Sequence, residues 1–279
     1  MTKVIINDPI LVLGGTGKTG SRIIKGLNDM GVPTRIGSRG ASPSFDWADK
    51  KTWKPALEGT SAVYISYYPD LAVSGAVEDI KAFSELALSM GIDRLVLLSG
   101  RGEEEAQLAE KVIQQSGAKW TILRASWFAQ NFSESFLLDS VVGGTIVLPV
   151  GDVGEPFIDV EDIAEVAVKA LTEAGHEGQL YELTGPRLLS FSQAVQEISE
   201  INGKELQYIE VSAESYAKGM EEMGLPKAES DLVMYLFTTI LDGRNSNVTD
   251  GVQRALGRYP RDFREYAKTA SSTGVWEAA

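Results

Sequence analysis

A short apolar run passes into a glycine-rich loop in Ile10-Leu11-Val12-Leu13-Gly14-Gly15-Thr16-Gly17-Lys18-Thr19-Gly20. The apolar run does not alternate with polar residues, which is typical of a strand buried on both faces. Glycines three residues apart let the backbone turn sharply, approach a ligand closely and begin a helix packed on the strand. The free N–H groups of that helix and its dipole bind anions. The stretch therefore predicts a strand, a turn and a helix that hold a nucleotide phosphate.

Two other interpretations of the loop are weaker. A phosphate loop of the Walker A type would need a glycine at position 12, which is Val12. A plain glycine turn between any strand and any helix is the other alternative. A dinucleotide site is favoured because a second short strand, Pro33 to Arg39, follows about twenty residues after the loop.

The end of that second strand indicates which dinucleotide binds. A site for NAD usually has Asp or Glu there to bind the ribose hydroxyls, whereas a basic residue accommodates a 2′-phosphate. This chain has Ser38-Arg39 and no acid. A planar guanidinium can bind a phosphate with two hydrogen bonds, so we predict NADPH rather than NADH. A solvated surface arginine is the alternative for Arg39.

Composition excludes several kinds of chemistry. The chain has 279 residues, no Cys, one His and a formal net charge of −13. Thiolate nucleophiles, disulfides and clustered Cys or His metal sites are therefore not expected, and no metal is predicted. The acidic charge argues against nucleic-acid or membrane partners. We expect a cytoplasmic protein without a secretion signal, and we expect His176 to lie in an exposed loop.

Strand and helix patterns alternate along most of the chain, which predicts an α/β fold with a Rossmann-type, doubly wound parallel sheet. After the first two strands we predict a third over Phe45–Trp47, then strands at 62–66, 94–99 and 120–124. Beyond residue 124 the pattern loosens. We expect a NADP-binding domain over residues 1–150, with some later segments returning to it, and a smaller C-terminal α+β substrate lobe over 151–279. The final stretch, 257–279, is interpreted as a polar tail.

Several motifs in order resemble the NmrA-like branch of the atypical short-chain dehydrogenases, particularly the ergot-alkaloid festuclavine and agroclavine dehydrogenase type and its bacterial relatives. The motifs span nearly the whole chain and are specific only together. They are the glycine loop, Ser38-Arg39, Phe45-Asp46-Trp47, Leu97-Leu98-Ser99, Trp120-Thr121-Ile122-Leu123-Arg124, Trp127-Phe128-Ala129-Gln130-Asn131-Phe132-Ser133-Glu134, Phe157-Ile158-Asp159-Val160-Glu161-Asp162-Ile163-Ala164 and Gly257-Arg258-Tyr259-Pro260-Arg261-Asp262-Phe263.

This resemblance implies an NADP(H) cofactor and assigns residues to it. The implied cofactor residues are Gly14, Thr16, Gly17, Lys18 and Thr19 at the phosphates, Ser38 and Arg39 at the 2′-phosphate, Asp46 and Trp47 at the adenine, and Ser66, Tyr67, Ser99 and Ala125 at the nicotinamide. The implied substrate residues are Tyr67, Trp127, Phe128, Asn131 and Phe157. For Trp127 and Phe128, packing in the core is an equal alternative.

The chain departs from conventional short-chain dehydrogenases in its proton donor. Those enzymes use a Tyr with a Lys four residues later, and no Tyr of this chain has Lys at that spacing. Lys111 lies in a suitable helix but is interpreted as a solvated lysine, so no catalytic residue is assigned. An iminium ion needs no proton before it accepts hydride, and a quinone can take protons from water. Such acceptors suit a site without the dyad.

Two kinds of function follow from these predictions. The first is an NADPH-dependent reductase that transfers hydride to a small cyclic imine, iminium or quinone-type substrate. The second is a non-catalytic redox sensor of the NmrA type that binds NADP(H) and regulates a partner. We expect a small-molecule substrate and a monomer or homodimer. The aromatic residues after Arg124 lie where a substrate would bind, which favours the enzyme.

Overall fold

The computed structural model describes residues 6–277. Its strands, in chain order, are β1 (Ile10–Leu13), β2 (Thr34–Gly37), β3 (Ala62–Ile65), β4 (Arg94–Gly100), β5 (Lys119–Ala125), β6 (Thr145–Leu148), β7 (Gln179–Leu183) and β8 (Gln207–Glu210). Its helices are α1 (Lys18–Asp29), α2 (Trp53–Leu57), α3 (Ala76–Ser89), α4 (Glu104–Gln115), α5 (Leu138–Gly143), α6 (Val160–Thr172), α7 (Phe191–Asn202), α8 (Ala213–Glu222), α9 (Lys227–Tyr235), α10 (Gly251–Leu256) and α11 (Phe263–Ser272).

The main sheet has the parallel, doubly wound topology that the alternating pattern predicts. Its strands are arranged in the order β2-β1-β3-β4-β5-β7, and every neighbouring pair is parallel. All four residues of β1 are fully buried, as expected for an apolar strand covered on both faces. The order reverses at β1, because β2 pairs on one side and β3 on the other. This Rossmann-like α/β fold confirms the predicted fold class.

The chain forms two compact units. The first contains the residues up to Ala125 together with Val160–Leu183 and Asp250–Tyr259. The second contains Ser126–Asp159, Thr184–Thr249 and the residues from Pro260 onward. The division therefore falls after Ala125, earlier than the expected boundary at residue 150, and later segments do belong to the sheet-bearing unit.

The second unit is built on an aromatic core and a small parallel sheet. Strand β6 pairs with β8 in register from Thr145 opposite Gln207 to Leu148 opposite Glu210. Its buried aromatic side chains include Phe132, Phe157, Phe191, Phe263 and Trp276. The unit thus combines helices with a two-stranded sheet, which is an α+β arrangement.

Residues 45–47 do not form the predicted third strand. The Asp46 N–H donates a hydrogen bond to Thr52 Oγ1 at 2.9 Å, and the Asp46 carbonyl accepts one from Trp53 Nε1 at 2.9 Å. Side chains thus satisfy backbone groups that a strand would pair with a neighbour. The alternation of Phe45 and Trp47 reflects burial of both rings in an aromatic cluster, not a sheet face.

Three elements in the second unit, α5, β6 and α11, were not predicted. Strand β6 is only four residues long and lies between glycine and proline signals that indicate a loop. The tail contains α11, which begins with a capping box in which Asp262 and Glu265 bond each other's backbone N–H groups. Its buried positions, Phe263, Tyr266 and Ala270, follow helical spacing. No helix within residues 6–277 is long and apolar enough to cross a membrane.

Candidate functional site

The glycine loop lies at the point where the strand order of the first unit reverses. It directly follows β1, and Ser66 directly follows the neighbouring strand β3. A Cβ built on Gly14 would lie 3.3 Å from the Ser66 Cβ, so the two strand ends adjoin. In open α/β sheets, ligands bind in the crevice outside the carboxyl ends of the strands at this reversal. The structure therefore brings two of the predicted cofactor residues together at the expected place.

Glycine is required in this loop for two different reasons. Gly14 has φ +65°, a left-handed conformation that side chains disfavour. A Cβ on Gly20, in the first turns of α1, would overlap the carbonyl oxygen of Gly14. The loop closes through the Gly17 N–H, which donates to the Gly14 carbonyl at 2.8 Å. The glycines thus let α1 pack directly on the loop and leave the backbone open to a ligand.

The N-terminus of α1 is suited to an anion. Gly17 is the N-cap residue and offers no side chain to bond the first-turn N–H groups. Thr16 and Gly17 are exposed and Lys18 is half-buried, whereas Thr19 is buried. The side chain of Thr19 therefore points into the protein, and what it can offer a phosphate is its backbone N–H. A pyrophosphate fits such a set of donors.

Arg39 lies just beyond the end of β2 with its side chain exposed. Its guanidinium carbon lies 5.6 Å from the ring centroid of Tyr68, which is itself 68% exposed. Ser38 is half-buried, and its carbonyl accepts the Phe45 N–H at 2.9 Å. The strand end thus presents a stacked arginine and a hydroxyl, with no carboxylate in Gly37 to Ala41.

Trp47 belongs to an aromatic cluster beside the loop and is only 8% exposed. Its Nε1 donates to the Ser66 carbonyl at 3.1 Å, and its ring lies 4.7 Å from that of Tyr67, measured between centroids. The Asp46 carboxylate accepts the Ala48 N–H at 3.0 Å. Trp47 therefore fixes the Ser66–Tyr67 strand end in place, and its contact with an adenine stays a prediction.

Tyr67 follows β3 and is held by acidic and cationic partners. Its hydroxyl donates to Asp79 Oδ2 at 2.9 Å, and the other oxygen of Asp79 accepts Lys50 Nζ at 2.8 Å. Burial raises the pKa of Tyr67 well above its usual range, and the neighbouring Asp79 raises it further. A tyrosine in this state is a poor proton donor, so its ring, not its hydroxyl, is what it can offer a ligand.

Ser99 and Ala125 lie side by side at the ends of β4 and β5, where Ser99 is opposite Arg124 and Ala125 is opposite Gly100. Ser99 donates its hydroxyl hydrogen to Glu110 Oε1 at 2.7 Å. Arg124 bonds the same carboxylate at 2.9 and 2.5 Å. The Ser99 hydroxyl is therefore oriented by a buried ion pair and keeps only acceptor capacity for a ligand.

The predicted substrate residues of the second unit differ in exposure. Phe157 is 2% exposed and packs among Phe132, Phe191 and Phe263, so it is a core residue that could shape a site only from behind. Phe128 and Asn131 are half-buried.

Trp127 packs in the core of its unit and keeps one polar group without a partner among the described residues. Its ring packs against Phe191 and Phe237 at centroid distances of 5.7 and 5.4 Å. Its Nε1 is buried and has no hydrogen-bond partner within residues 6–277. A buried, unpaired indole N–H is costly unless a ligand accepts from it. The Nε1 of Trp127 is therefore available to donate a hydrogen bond to a polar ligand atom, and its contact with a substrate stays a prediction.

Two other expectations have clear outcomes. His176 is fully buried, not exposed, and its Nδ1 lies 2.9 Å from the Tyr181 hydroxyl. The glycines flanking it indicate a loop but do not show that the loop is packed inward. Lys111 is exposed on α4, which agrees with its interpretation as a solvated lysine. Glu103 is buried at the end of β4, which its sequence pattern does not indicate.

No family model matches this chain. It is 31% identical over 280 residues to an uncharacterized oxidoreductase, YesF, of Bacillus subtilis, covering 96% of both chains. It is 30% identical over 281 residues to festuclavine synthase I of Penicillium roqueforti, covering 93% of this chain and 97% of the relative. The NAD(P)H azoreductase of Xenophilus azovorans is 29% identical over 282 residues, covering 93% and 96%. These similarities extend along nearly the whole length.

Solved structures share the fold at lower identity. The Citrobacter sp. triphenylmethane reductase, complexed with NADP(H), superposes with a TM-score of 0.74 at 22% identity, covering 94% of this chain and 99% of that chain. The NADPH-dependent quinone oxidoreductase QOR2 of Escherichia coli, complexed with NADPH, has a TM-score of 0.78 at 20% identity, covering 93% and 99%.

Proposed function

Because this chain belongs to the NmrA-like family of atypical short-chain dehydrogenases, we propose that it is an NADPH-dependent oxidoreductase. The observation that carries the proposal is the glycine loop at the strand-order reversal, with an arginine in place of an acid at the end of β2. The full-length similarity to proteins named as an azoreductase and an oxidoreductase supports catalysis over a purely regulatory role.

The residues present fit a dinucleotide. The overlap that a Cβ on Gly20 would cause shows that the loop is built for close backbone packing at the start of α1. The first-turn N–H groups, with no capping side chain, supply donors for a pyrophosphate. Gly14, Thr16, Gly17, Lys18 and Thr19 would hold these phosphates.

Arg39 would select the phosphorylated cofactor. Its exposed guanidinium can bind a 2′-phosphate with two charge-assisted hydrogen bonds, and Ser38 can add a third. The Tyr68 ring supports the guanidinium from one face, which reduces the freedom that the arginine loses on binding. No carboxylate occupies the strand end to bind a free ribose hydroxyl.

The nicotinamide end would lie at the carboxyl ends of β3, β4 and β5. NADPH, when bound, supplies the hydride. The chain's own residues there orient the ring and exclude water: Tyr67 by its fixed ring, Ser99 by its oriented hydroxyl oxygen, and Ser66 and Ala125 by their position at the strand ends. Asp46 and Trp47 remain proposed for the adenine.

We further propose that the acceptor is a small cyclic imine or iminium ion or a quinone. Within the second unit, the unpaired Nε1 of Trp127 would donate a hydrogen bond to it, while Phe128, Asn131 and the buried Phe157 shape the surface around it. A relative named festuclavine synthase and a neighbour titled quinone oxidoreductase are consistent with these two classes.

The experiment that tests the proposal follows NADPH oxidation by absorbance against a panel of cyclic imines, iminium salts and quinones. NADH serves as the matched cofactor, and a protein-free sample measures spontaneous reduction. We expect turnover with at least one class of acceptor and a lower KM for NADPH than for NADH.

A different result would change the proposed function. If NADPH binds tightly in the same samples but no acceptor is reduced, the chain is not a reductase of these compounds. Cofactor binding without turnover would instead fit the sensor function, and the search would turn to a protein partner.

A further inference from the structure

Three consecutive glutamates open α4, and one of them differs from the others. Glu104 and Glu105 are exposed, as expected for acids that stabilise the positive end of a helix. Glu103 occupies the N-cap position but makes no capping hydrogen bond, and it is only 7% exposed. Because Glu103 does not cap α4, its position in the helix does not explain why its carboxyl group is buried.

Gly100 makes room for this carboxyl group at the end of β4. A Cβ built on Gly100 would overlap both oxygens of the Glu103 carboxyl. Gly100 is also the last residue of β4 and lies opposite Ala125 of β5. The Glu103 carboxyl therefore lies against the carboxyl end of the sheet, on the edge where the cofactor residues are found.

The partner of Glu103 is a second acid. Asp70 follows β3, the strand beside β4, and its carboxyl group is close enough to that of Glu103 for each to shift the pKa of the other. Glu103 Oε2 has no donor within residues 6–277, and Asp70 Oδ1 accepts the Ala72 N–H at 2.8 Å. Ionised carboxylates only accept hydrogen bonds, so two of them bond each other only when they share a proton.

The surrounding charges favour keeping that proton. Burial and the charge of Asp70 raise the pKa of Glu103, and Glu105 and Glu110 raise it further. Burial likewise raises the pKa of Asp70. The nearby arginines are engaged with other acids: Arg124 binds Glu110 and Glu182, and Arg101 binds Glu182. The pair therefore retains one proton at neutral pH, as closely spaced carboxyl groups do.

The pair supplies what the proposed site otherwise lacks. Asp70 is close in sequence to Tyr67, and Glu103 to Ser99, and both of these flanking residues are proposed for the nicotinamide end. The Tyr67 hydroxyl donates to Asp79 and the Ser99 hydroxyl donates to Glu110, so neither is free to give a proton to a substrate.

We propose that Glu103, sharing a proton with Asp70, is the general acid of the reaction, a role that rests on the proposed reductase function. When a neutral imine gains hydride at carbon, the electron pair of its C=N bond moves to nitrogen. The O–H bond of Glu103 breaks and an N–H bond forms at that nitrogen. Glu103 is left as a carboxylate, and a proton from water restores the pair.

The test compares two acceptors with the same ring, of which only one needs a proton. A neutral cyclic imine needs one, whereas the N-methyl iminium salt of the same ring becomes a neutral amine on gaining hydride alone. Glu103→Gln should lower kcat for the imine by about 100-fold or more, the scale of general acid catalysis. It should change kcat for the iminium salt less than threefold and leave NADPH binding unchanged. Glu104→Gln, which removes the neighbouring exposed charge, should affect neither acceptor.

Two further measurements keep a structural role of Glu103 distinguishable. Gly100→Ala retains Glu103 but displaces its carboxyl group, so it should reproduce the selective loss with the imine. Infrared spectroscopy of the protein alone at pH 7 should show the C=O absorption of a protonated carboxylic acid. That absorption should vanish in Glu103→Gln and persist in Glu104→Gln, whether or not any acceptor is reduced.

Three results would overturn the proposal, and they differ from failure of the reductase function. Equal loss with both acceptors would make Glu103 a structural residue. Absence of the carboxylic acid absorption in the unaltered protein would show that no proton is shared. An unaltered imine rate in Glu103→Gln would show that water is the donor. If the unaltered protein reduces neither acceptor, the reductase function itself fails and the role of Glu103 as its acid fails with it.

Discussion

At the scale of single residues, we propose that Arg39 decides the choice of cofactor. Its guanidinium is exposed and stacked on Tyr68, so it needs little rearrangement to bind a phosphate. Charge-assisted hydrogen bonds contribute about 1.5–3 kcal/mol each. Arg39→Ala should therefore raise the Kd for NADPH by about tenfold to a hundredfold and leave the Kd for NADH nearly unchanged, measured by fluorescence titration.

The matched control for this prediction is Arg264→Ala. Arg264 is another surface arginine, paired with Glu200 at 3.0 Å in the second unit. It should leave both cofactor affinities unchanged. Equal affinity for NADPH in Arg39→Ala and the unaltered protein would show that the 2′-phosphate binds elsewhere.

His176 is a residue whose environment predicts a pH dependence of stability. Burial lowers the pKa of His176, and its Nε2 has no partner within residues 6–277. Because the folded-state pKa lies below the unfolded value of about 6.5, the unfolded chain takes up the proton first as the pH falls. The protonation of His176 therefore has no effect on the free energy of unfolding above that pH. Below it, the free energy of unfolding falls by up to about 1.4 kcal/mol per pH unit.

The measurement for His176 is the free energy of unfolding at pH 7.5 and at pH 5.5. Other groups titrate over the same range, so the informative quantity is the difference between the unaltered protein and His176→Gln. The unaltered protein should lose more stability on acidification than the variant does. The same loss in both proteins would mean that His176 is not kept neutral by the fold.

At the scale of elements, helix α1 depends on its contact with the glycine loop. In Gly20→Ala, the added methyl group would overlap the Gly14 carbonyl, so α1 must move away from the loop. We expect a loss of about 1–3 kcal/mol in the free energy of unfolding and a marked weakening of NADPH binding. Both are measured on the same samples by denaturation and fluorescence titration.

Gly219→Ala is the control for that substitution. Gly219 also lies inside a helix, α8, but a Cβ there would meet nothing within 4 Å. It should stabilise the protein by about 0.5–1 kcal/mol, because alanine favours the helix more than glycine does. Equal effects of the two substitutions would contradict the close packing of α1 on the loop.

The ion pair between α4 and β5 is a second feature at this scale. Arg124 binds both oxygens of Glu110, which is only 2% exposed. Arg124→Met would leave that carboxylate buried without its cation and should cost about 3–5 kcal/mol in thermal or chemical unfolding. Adding Glu110→Gln should restore part of the loss, because it removes the unpaired charge. Additive losses in the double variant would show that the two side chains do not interact.

The elements of the sheet were predictable, and the reasons are local. β1, α1 and β2 follow from the apolar run and the glycine spacing within residues 10–37, which need no distant contact to form. Strand β6 was missed because four residues between turn signals carry too little pattern, and its partner β8 is remote in sequence. The strand predicted over Phe45–Trp47 was wrong because alternating aromatic residues result from packing around Trp53 as readily as from a sheet.

Less of the candidate site than of the sheet could be predicted from the sequence. The conformation of the glycine loop could be predicted from sequence because it follows from the glycines themselves. The role of Arg39 stays a prediction, which rests on a single charged side chain after β2. The burial of Glu103 could not be predicted, because it depends on Gly100 and on Asp70, which lies more than thirty residues earlier in the chain and meets it only in the folded sheet. Three adjacent glutamates look alike in sequence, and only packing separates one from the others.

At the scale of the whole molecule, the chain passes repeatedly between its two units. The first unit carries the residues proposed to bind the nucleotide, and the second carries Trp127 with its unpaired N–H. A single boundary near residue 150 was expected because the pattern of alternating strands and helices loosens after Arg124. In the structure, α6, β7 and α10 belong to the unit that contains the main sheet.

The most direct test of the reductase function is transfer of a labelled hydride. NADPH carrying deuterium at the transferring position of the nicotinamide is mixed with the protein and the acceptor that proves active, and the product is analysed by mass spectrometry. For an imine or iminium acceptor, we expect one deuterium at the reduced carbon from labelled NADPH and none at that carbon from deuterated solvent. Deuterium from the solvent at that carbon, or no product while NADPH is bound, would contradict the assignment of this chain as an NADPH-dependent reductase.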